Sequence, residues 1–356
     1  MPCSNLCLDR GIIVGVDTHK DQHVAVAVDR LGARIGQRSL PTTNTGYADL
    51  EHWARDFGEI NAFGIEGTGS YGAGLMRYLR DQGHRVVEVN RPDRSTRRRL
   101  GKSDPTDAEM AARAVLAGVA RDQPKSGVAE VEMIRMLKSA KDSAMKSRTQ
   151  AMNQIKSLIV TSPVEIRELF RGCKSAHLVS RCANMHVNKL ETPAQAAKFT
   201  LRSLARRYLL FTYEIESLNT GLKHLTSAFA PSLLQPLGIG VDTAAALLVT
   251  AGSNPDRLKS EAAFAALCGV SPIPASSGNT NRFRLNRGGD RQANAAIYRI
   301  VLVRLRYDDR TVAYLRRRIA DGKTKSEAIR CLKRYVAREV FAILHDIGQK
   351  LTTQGA

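Results

Sequence analysis

Two short apolar runs, each ending in an acid, constrain this chain more than any other feature. Ile12-Ile13-Val14-Gly15-Val16 leads into Asp17, and Ala62-Phe63-Gly64-Ile65 leads into Glu66. Runs of this length suit strands buried on both faces of a sheet. Val24–Val28 reads as a partner strand, Arg34–Leu40 as a weaker third, and Val86–Val89 as another. Gly46–Phe57 and Tyr71–Gln82 suit helices, Pro92–Leu100 suits a basic helix, and Gly67-Thr68-Gly69-Ser70 breaks the strand before it. The alternation predicts an α/β domain. In open α/β sheets ligands gather beyond the strand ends, where Asp17 and Glu66 stand.

A second pair of acids follows the last strand. Lys102-Ser-Asp-Pro-Thr-Asp107 opens a helical run that continues to Gly118. Asp104 and Asp107 are spaced i, i+3, so they share a helix face and can point at one divalent cation. Residue types alone leave plainer readings open. Asp104 can be a helix cap and Asp107 a solvated first-turn charge. Asp17 can be a turn residue and Glu66 a charge before a glycine turn. Taken together, four acids from three elements can hold two Mg²⁺ ions, the arrangement that phosphodiester chemistry uses. With the strand pattern and the charge described next, they suggest an RNase H-like nuclease core. His19 and His23 flank Asp17 and could touch a phosphate or metal, but read first as ordinary surface histidines. Arg91, Arg94, Arg97, Arg98, Arg99 and Lys102 form a basic run beside the acid pair, either a solvated face or a contact to a nucleic-acid backbone.

The 356 residues carry a net charge of +20, the footprint of a protein that meets a polyanion, with nucleic acid the leading candidate. No run of 18 apolar residues predicts a membrane span. The six cysteines are scattered without a C-x-x-C pair, which supports neither a zinc site nor a disulfide framework and fits a reducing cytoplasm. The chain divides into an α/β catalytic region at 1–122, a helical region at 123–230 and a mainly helical region at 231–356.

In the middle region, Val128–Val160 is one polar-rich helical pattern without proline or glycine. A heptad seam follows: Leu204, Tyr208, Phe211, Ile215, Leu218, Leu222, Leu225, Phe229. The two helices are expected to pair, within the chain, between chains or both, as a hairpin or a dimerisation arm. The last third opens on Gly238-Ile-Gly240, a turn between helices. Its N–H groups can hold a DNA phosphate, or it is a plain connector. A proline-bounded loop then carries Ser276 and Ser277, with Arg282, Arg284, Arg287 and Arg291 close behind. A serine beside clustered arginines can attack a phosphodiester, and Ser-Gly is also a common turn pair. From Arg282 to Arg338 there are 17 Lys+Arg and 5 Asp+Glu, so this short stretch holds more than half of the net charge. Tyr298, Tyr307, Tyr314 and Tyr335 are interleaved, either to stack on bases or to pack inside.

V-G-V-D17-T-H-K, G-I-E66-G-T-G-S-Y, K-S-D104-P-T-D107-A, P-L-G-I-G-V-D-T-A, P-I-P-A-S-S277-G and N-R-G-G-D-R-Q-A-N occur in that order. In these stretches the chain resembles the DEDD transposases of the insertion sequence one-ten family, relatives of the Piv DNA invertases and bridge-RNA-guided serine recombinases. The resemblance covers both ends of the chain; the middle matches only in being helical. It implies an RNase H-like (RuvC-like) N-terminal domain, a coiled-coil arm and a C-terminal transposase domain. It implies that Asp17, Glu66, Asp104 and Asp107 bind Mg²⁺, and that a serine of the C-terminal loop is the nucleophile. That role is carried to Ser277, with Ser276 as the neighbouring alternative. It also implies DNA as substrate, a non-coding guide RNA, a dimer or tetramer with composite sites, and work in the bacterial cytoplasm at the nucleoid. Three rivals stand beside it. They are a nuclease or junction resolvase of the same core that uses water, a kinase of the actin-like superfamily, and a non-catalytic nucleic-acid-binding protein.

Overall fold

The computed structural model describes residues 11–89, 103–125, 129–252, 258–277 and 283–354. They fall into two compact units, Met1–Gly127 and Val128–Ala356. The predicted basic helix at Pro92–Leu100 lies outside the described residues, as do Arg97, Arg98, Arg99, Lys102 and Arg282.

The first unit is mixed α/β. Its elements are β1 (Ile12–Thr18), β2 (Gln22–Val28), β3 (Arg34–Pro41), α1 (Asn44–Arg55), β4 (Ile60–Glu66), α2 (Ala73–Asp81), β5 (Val86–Val89) and α3 (Asp104–Leu116). The sheet order is β3-β2-β1-β4-β5. β1, β2 and β3 pair antiparallel, while β1-β4 and β4-β5 are parallel. Alternate residues of each strand feed opposite faces. Ile12, Val14, Val16, Phe63 and Ile65 pack on one face with Leu50 of α1 and Leu75 and Leu79 of α2. Ile13, Ala62, Val87 and Val89 pack on the other with Ala108, Ala111, Ala112 and Val115 of α3.

Gly15 and Gly64 belong to the α3 side, and both are required there. A Cβ at Gly15 would stand 1.9 Å from the Ala108 carbonyl oxygen, and one at Gly64 2.7 Å from the Val115 side chain. The two glycines let α3 lie almost against the backbone of the central strands. Overpacking a core typically costs about 1–3 kcal/mol. Because the obstacle at Gly15 is main chain, Gly15→Ala is expected at or above the upper end of that range. A fall of several degrees in the unfolding temperature of the full chain checks this; an unchanged temperature would mean that α3 is not seated on β1.

The second unit is mostly helical. It contains α4 (Ala129–Thr161), α5 (Val164–Leu169), α6 (Ser175–Ala183), α7 (Pro193–Phe229), α8 (Val241–Ala251), α9 (Glu261–Leu267), the strand pair β6 (Ile273–Pro274) and β7 (Phe283–Arg284), α10 (Arg291–Tyr307), α11 (Asp309–Ala320) and α12 (Lys325–Gln354). α7 starts well before the first heptad leucine because Thr192 caps it and Pro193 fills its first turn. α4 and α7 lie side by side and antiparallel. Lys141 Nζ donates to Asn219 Oδ1 at 2.9 Å, and the Arg148 guanidinium sits 5.7 Å over the Tyr208 ring. The heptad seam is used within the chain. Leu222 is buried with Ile134, and Leu204 and Tyr208 pack near Ile155 and Leu158. α8 is enclosed by α9, α10 and α12 through Phe264, Ile297, Ile300 and Val340.

One buried polar knot joins α4, α8 and α10. Asp242, in the first turn of α8, takes Lys141 at 3.1 Å, Lys138 at 3.3 Å and Arg299 at 2.9 Å. Burial alone would raise the Asp242 carboxyl, but the three cations outweigh it and hold the carboxyl below its usual 3.8. Its folded value is therefore below its unfolded one. The stability it contributes is fully present above about pH 4 and is lost as pH falls through the folded value. Asp242→Asn would leave Lys138 and Lys141, both nearly inaccessible, with less compensation. Removing one partner of a fully buried pair costs about 3–5 kcal/mol; with the carboxylate partly exposed, about 2 kcal/mol is expected at pH 7. Unfolding measured from pH 2.5 to 7 should show the gap between wild type and Asp242→Asn closing at the acid end. A gap independent of pH would refute the ionic origin.

Candidate active site

Asp17 and Glu66 stand at one edge of the sheet because of the packing just described, but among the described residues the ligand atoms within reach of one another are those of Asp17, His19 and Asp104, and Glu66 and Asp107 lie outside that group. β1 and β4 are parallel, with Gly15 opposite Gly64 and Val16 opposite Ile65. Asp17 and Glu66 each follow by one residue, on the α3 side of the sheet. The strand ends are tied by Thr18, whose Oγ1 donates to the Glu66 carbonyl at 2.8 Å. Gly67 then turns the chain away at φ +70°.

α3 starts over this edge. Its cap is Ser103, whose Oγ accepts from Thr106 N, with Pro105 in the first turn. Asp104 is therefore the first helical residue and not the cap. Asp107 is one turn further in and only 2% exposed. Ligand atoms of Asp17, His19 and Asp104 lie within 4.8 Å of one another. His19 Nε2 stands 3.3 Å from Asp17 Oδ2 and 3.4 Å from Asp104 Oδ2. Burial pushes the Asp17 carboxyl up, His19 opposes this, and the like charges of Asp107 and Asp104 add to it. Among the described residues, no Lys or Arg pairs with Asp17 or Asp104. Two carboxylates and an imidazole this close together could hold a divalent cation.

The histidines are not ordinary surface residues. His19 is half-exposed between two acids. His23 is fully buried on β2, stacked on Tyr47, and its Nδ1 accepts from the His19 backbone N–H at 3.3 Å. Burial holds its imidazole below the ordinary value. A histidine two residues past a strand-end acid was the available signal for His19.

The second unit carries the serine loop. β6 and β7 pair antiparallel, Ile273 with Arg284 and Pro274 with Phe283. Ser276 and Ser277 follow β6 and are exposed, as are Arg284, Arg287 and Arg291. The base of the loop is stapled. A Cβ at Gly289 would stand 2.3 Å from Gly269 N, so the two ends of the loop touch at backbone distance. Asn294 Nδ2 donates to the carbonyls of Cys268 and Gly269 at 2.9 and 3.0 Å, and Lys333 Nζ donates back to Asn294 Oδ1. Asp290 caps α10, its N–H donates to the Leu267 carbonyl at 2.7 Å, and Thr250 Oγ1 donates to its carboxylate. Gly-Gly-Asp ahead of a helix was the sequence signal for this staple. Asn294→Ala is expected to free the loop. Trypsin should cut at Arg284 and Arg287 about tenfold faster while the circular dichroism of the helices is kept, and an unchanged rate would show that the staple does not hold the loop.

The Gly238-Ile-Gly240 turn is packed and capped from within. Gly238 has φ +89° and lies against Ile300, and Gly240 N donates to Thr243 Oγ1 at 3.0 Å. Cys182 and Cys268 are buried, with thiols pushed up to about 11 and about 12, so neither is a ready nucleophile. Among the described residues no helix is long and apolar enough to cross a membrane.

Known proteins match both units. Residues 14–162 match the DEDD group of IS110, described as "Transposase", and residues 231–316 match the "Transposase IS116/IS110/IS902 family". The first match spans all four acids, and the second spans the G-x-G turn, both serines and the loop arginines. The chain is also similar to an "Insertion element IS110 uncharacterized 43.6 kDa protein" of Streptomyces coelicolor, 24% identical over 390 residues covering 95% of each chain.

Proposed function

The chain belongs to the IS110 family of transposases, enzymes that cut and rejoin DNA, and from that premise we propose a metal-assisted serine recombinase. The observation that carries the reading is the convergence of Asp17, His19 and Asp104 beneath the first turn of α3, with Asp107 beside them. Carboxylate oxygens with one imidazole suit a hard divalent ion such as Mg²⁺. Asp17, Glu66, Asp104 and Asp107 would hold one or two such ions, and His19 is placed to join them. When bound, the metal supplies Lewis-acid stabilisation of charge on the scissile phosphate. The strand order 3-2-1-4-5 supports an RNase H-like, RuvC-like core.

Ser277 is the nucleophile in this reading. Its Oγ forms a bond to phosphorus as one P–O bond of the DNA breaks, and the serine proton ends on the released DNA hydroxyl. Arg284, Arg287 and Arg291 neutralise charge on the phosphate, with Arg282 in the same cluster. Attack by a DNA hydroxyl on the phosphoserine reverses the step and joins the new ends. The stored phosphodiester bond makes an outside energy source unnecessary. The run Arg97, Arg98, Arg99 and Lys102 and the basic stretch from Arg282 onward serve backbone contact, whereas the Gly238-Ile-Gly240 turn, its Gly240 N–H spent on Thr243, is a plain connector. A guide RNA chooses the sites. A dimer or tetramer joins the acids of one chain to the serine of another across a coiled-coil arm. Leu210 and Tyr213, 63% and 73% exposed on the outer side of α7, support such an association.

The test is a denaturing gel of protein incubated with the DNA flanking its gene, its transcribed RNA and Mg²⁺, blotted for DNA-linked protein. A covalent adduct in wild type that is lost with Ser277→Ala and with Asp17→Ala supports the reading. Cleaved DNA with no adduct in any lane would replace it with a nuclease that uses water.

A further inference from the structure

The face of α4 that is not used against α7 is lined by amides. Lys146, Gln150, Asn153 and Gln154 share that face at helical spacing and border a groove of about 790 Å³, with Gln292 and Arg299 of α10 also lining it. At about 1.5 Å per residue the α4 wall between Lys146 and Asn153 alone runs about 10 Å. The Asp242 knot closes one end and fixes α4, α8 and α10 to each other. The groove is thus a built feature within one unit. Its four amide side chains are exposed, and none bonds another described residue.

Those amides serve neither the core nor the charge of the surface. Each offers a donor and an acceptor together, the pattern that complements the edge of a nucleobase. Lys146 supplies positive charge beside them, suited to phosphate, while Lys138 and Arg299 are held by Asp142 and Asp242. The site is concave, so it does not enter the groove of a duplex; it suits bases that have left the stack. Its lining holds no aromatic ring, which removes the stacking platform used by sequence-neutral single-strand binders. We propose that this groove binds a short single-stranded polynucleotide and reads its base edges through Gln150, Asn153, Gln154 and Gln292. The inference goes beyond the catalytic reading, which gives α4 no contact, and rests only on nucleic acid being the partner.

Photo-cross-linking of the full chain tests it. The probes are short random-sequence single strands, RNA carrying 4-thiouridine and DNA carrying 4-thiothymidine, with tryptic peptides mapped by mass spectrometry. The peptide Thr149–Lys156 holds three of the four amides. Adducts on it are expected from at least one probe, and the two arms show whether RNA or DNA is the source. Gln150→Ala with Gln154→Ala should lower that adduct about tenfold, while adducts on peptides from Arg291 to Arg318 stay level and the salt dependence of binding is unchanged, since no cation is removed. Adducts confined to the basic peptides, or an undiminished yield in the double variant, would overturn the groove and leave the catalytic reading standing. No adduct on any peptide would likewise overturn the groove, and the catalytic reading is judged by its own gel.

Discussion

Asp17→Asn is expected to abolish strand cleavage and to make the metal-free protein more stable. The two effects have one cause. Asp17 is 9% exposed, beside Asp104 and Asp107, with His19 as its basic neighbour. Burial and these like charges raise its folded pKa above the unfolded one, so holding it ionised costs the metal-free fold at neutral pH. Asparagine keeps the shape and removes the charge. A divalent ion supplied at about a hundred times its dissociation constant stabilises a fold by about 2.7 kcal/mol, and that gain should vanish in the variant. Cleavage should fall about 10³-fold, the scale of losing a main electrostatic stabiliser. Thermal melts of both proteins with and without Mg²⁺ are the check. If wild type shows no Mg²⁺-dependent rise, or the variant keeps it, the acids do not form a metal site.

Ser277→Ala is expected to remove the covalent protein–DNA adduct entirely and to lower recombination by about 10³-fold or more, while Ser276→Ala keeps both. Both side chains are exposed just past β6, so neither substitution disturbs a core, and the melting temperature should stay within about 1 °C of wild type. The pair separates the two serines where sequence alone could not. Adduct lost only with Ser276→Ala would move the nucleophile by one residue. Adduct retained in both variants would remove the serine mechanism.

The central strands of the first unit were legible because they are buried, while β3, mostly exposed, read only as a weaker strand. Five consecutive buried apolar residues in β1, at 12–16, leave the run that suits a central strand. The acids at its edge were legible for the same reason, since a charge that ends such a run marks the rim of a sheet. Which acid caps α3 was not legible. Ser103 and Asp104 are both good caps by type, and the choice lies in the backbone, extended at Ser103 with φ −148° and ψ 149°. His23 was misjudged, since it is fully buried, and the nearness of His19 to Asp104 was not legible because the two are distant in sequence and close in space. The heptad seam was legible as a pattern, but its partner was not: an apolar stripe does not state which helix covers it. The amides of α4 did not stand out within a polar-rich helical pattern, because periodicity records only which residues are apolar. A polar face looks the same whether it meets bulk water or a cleft.

The staple at Gly269 and Gly289 has a further consequence. Because the two ends of the serine loop meet at backbone distance and are clamped by Asn294 and Asp290, the helices beneath see only a closed junction. Val270, Ser271 and Asn286 still belong to the frame, through the core and the carbonyls of Ala265 and Ala266, so what lies between Ser271 and Asn286 is an insertion to the helices beneath. The segment that carries both serines is thus expected to tolerate exchange for that of a relative without repacking a helix. A protein that must meet new DNA sequences can vary its tip while its frame stays constant.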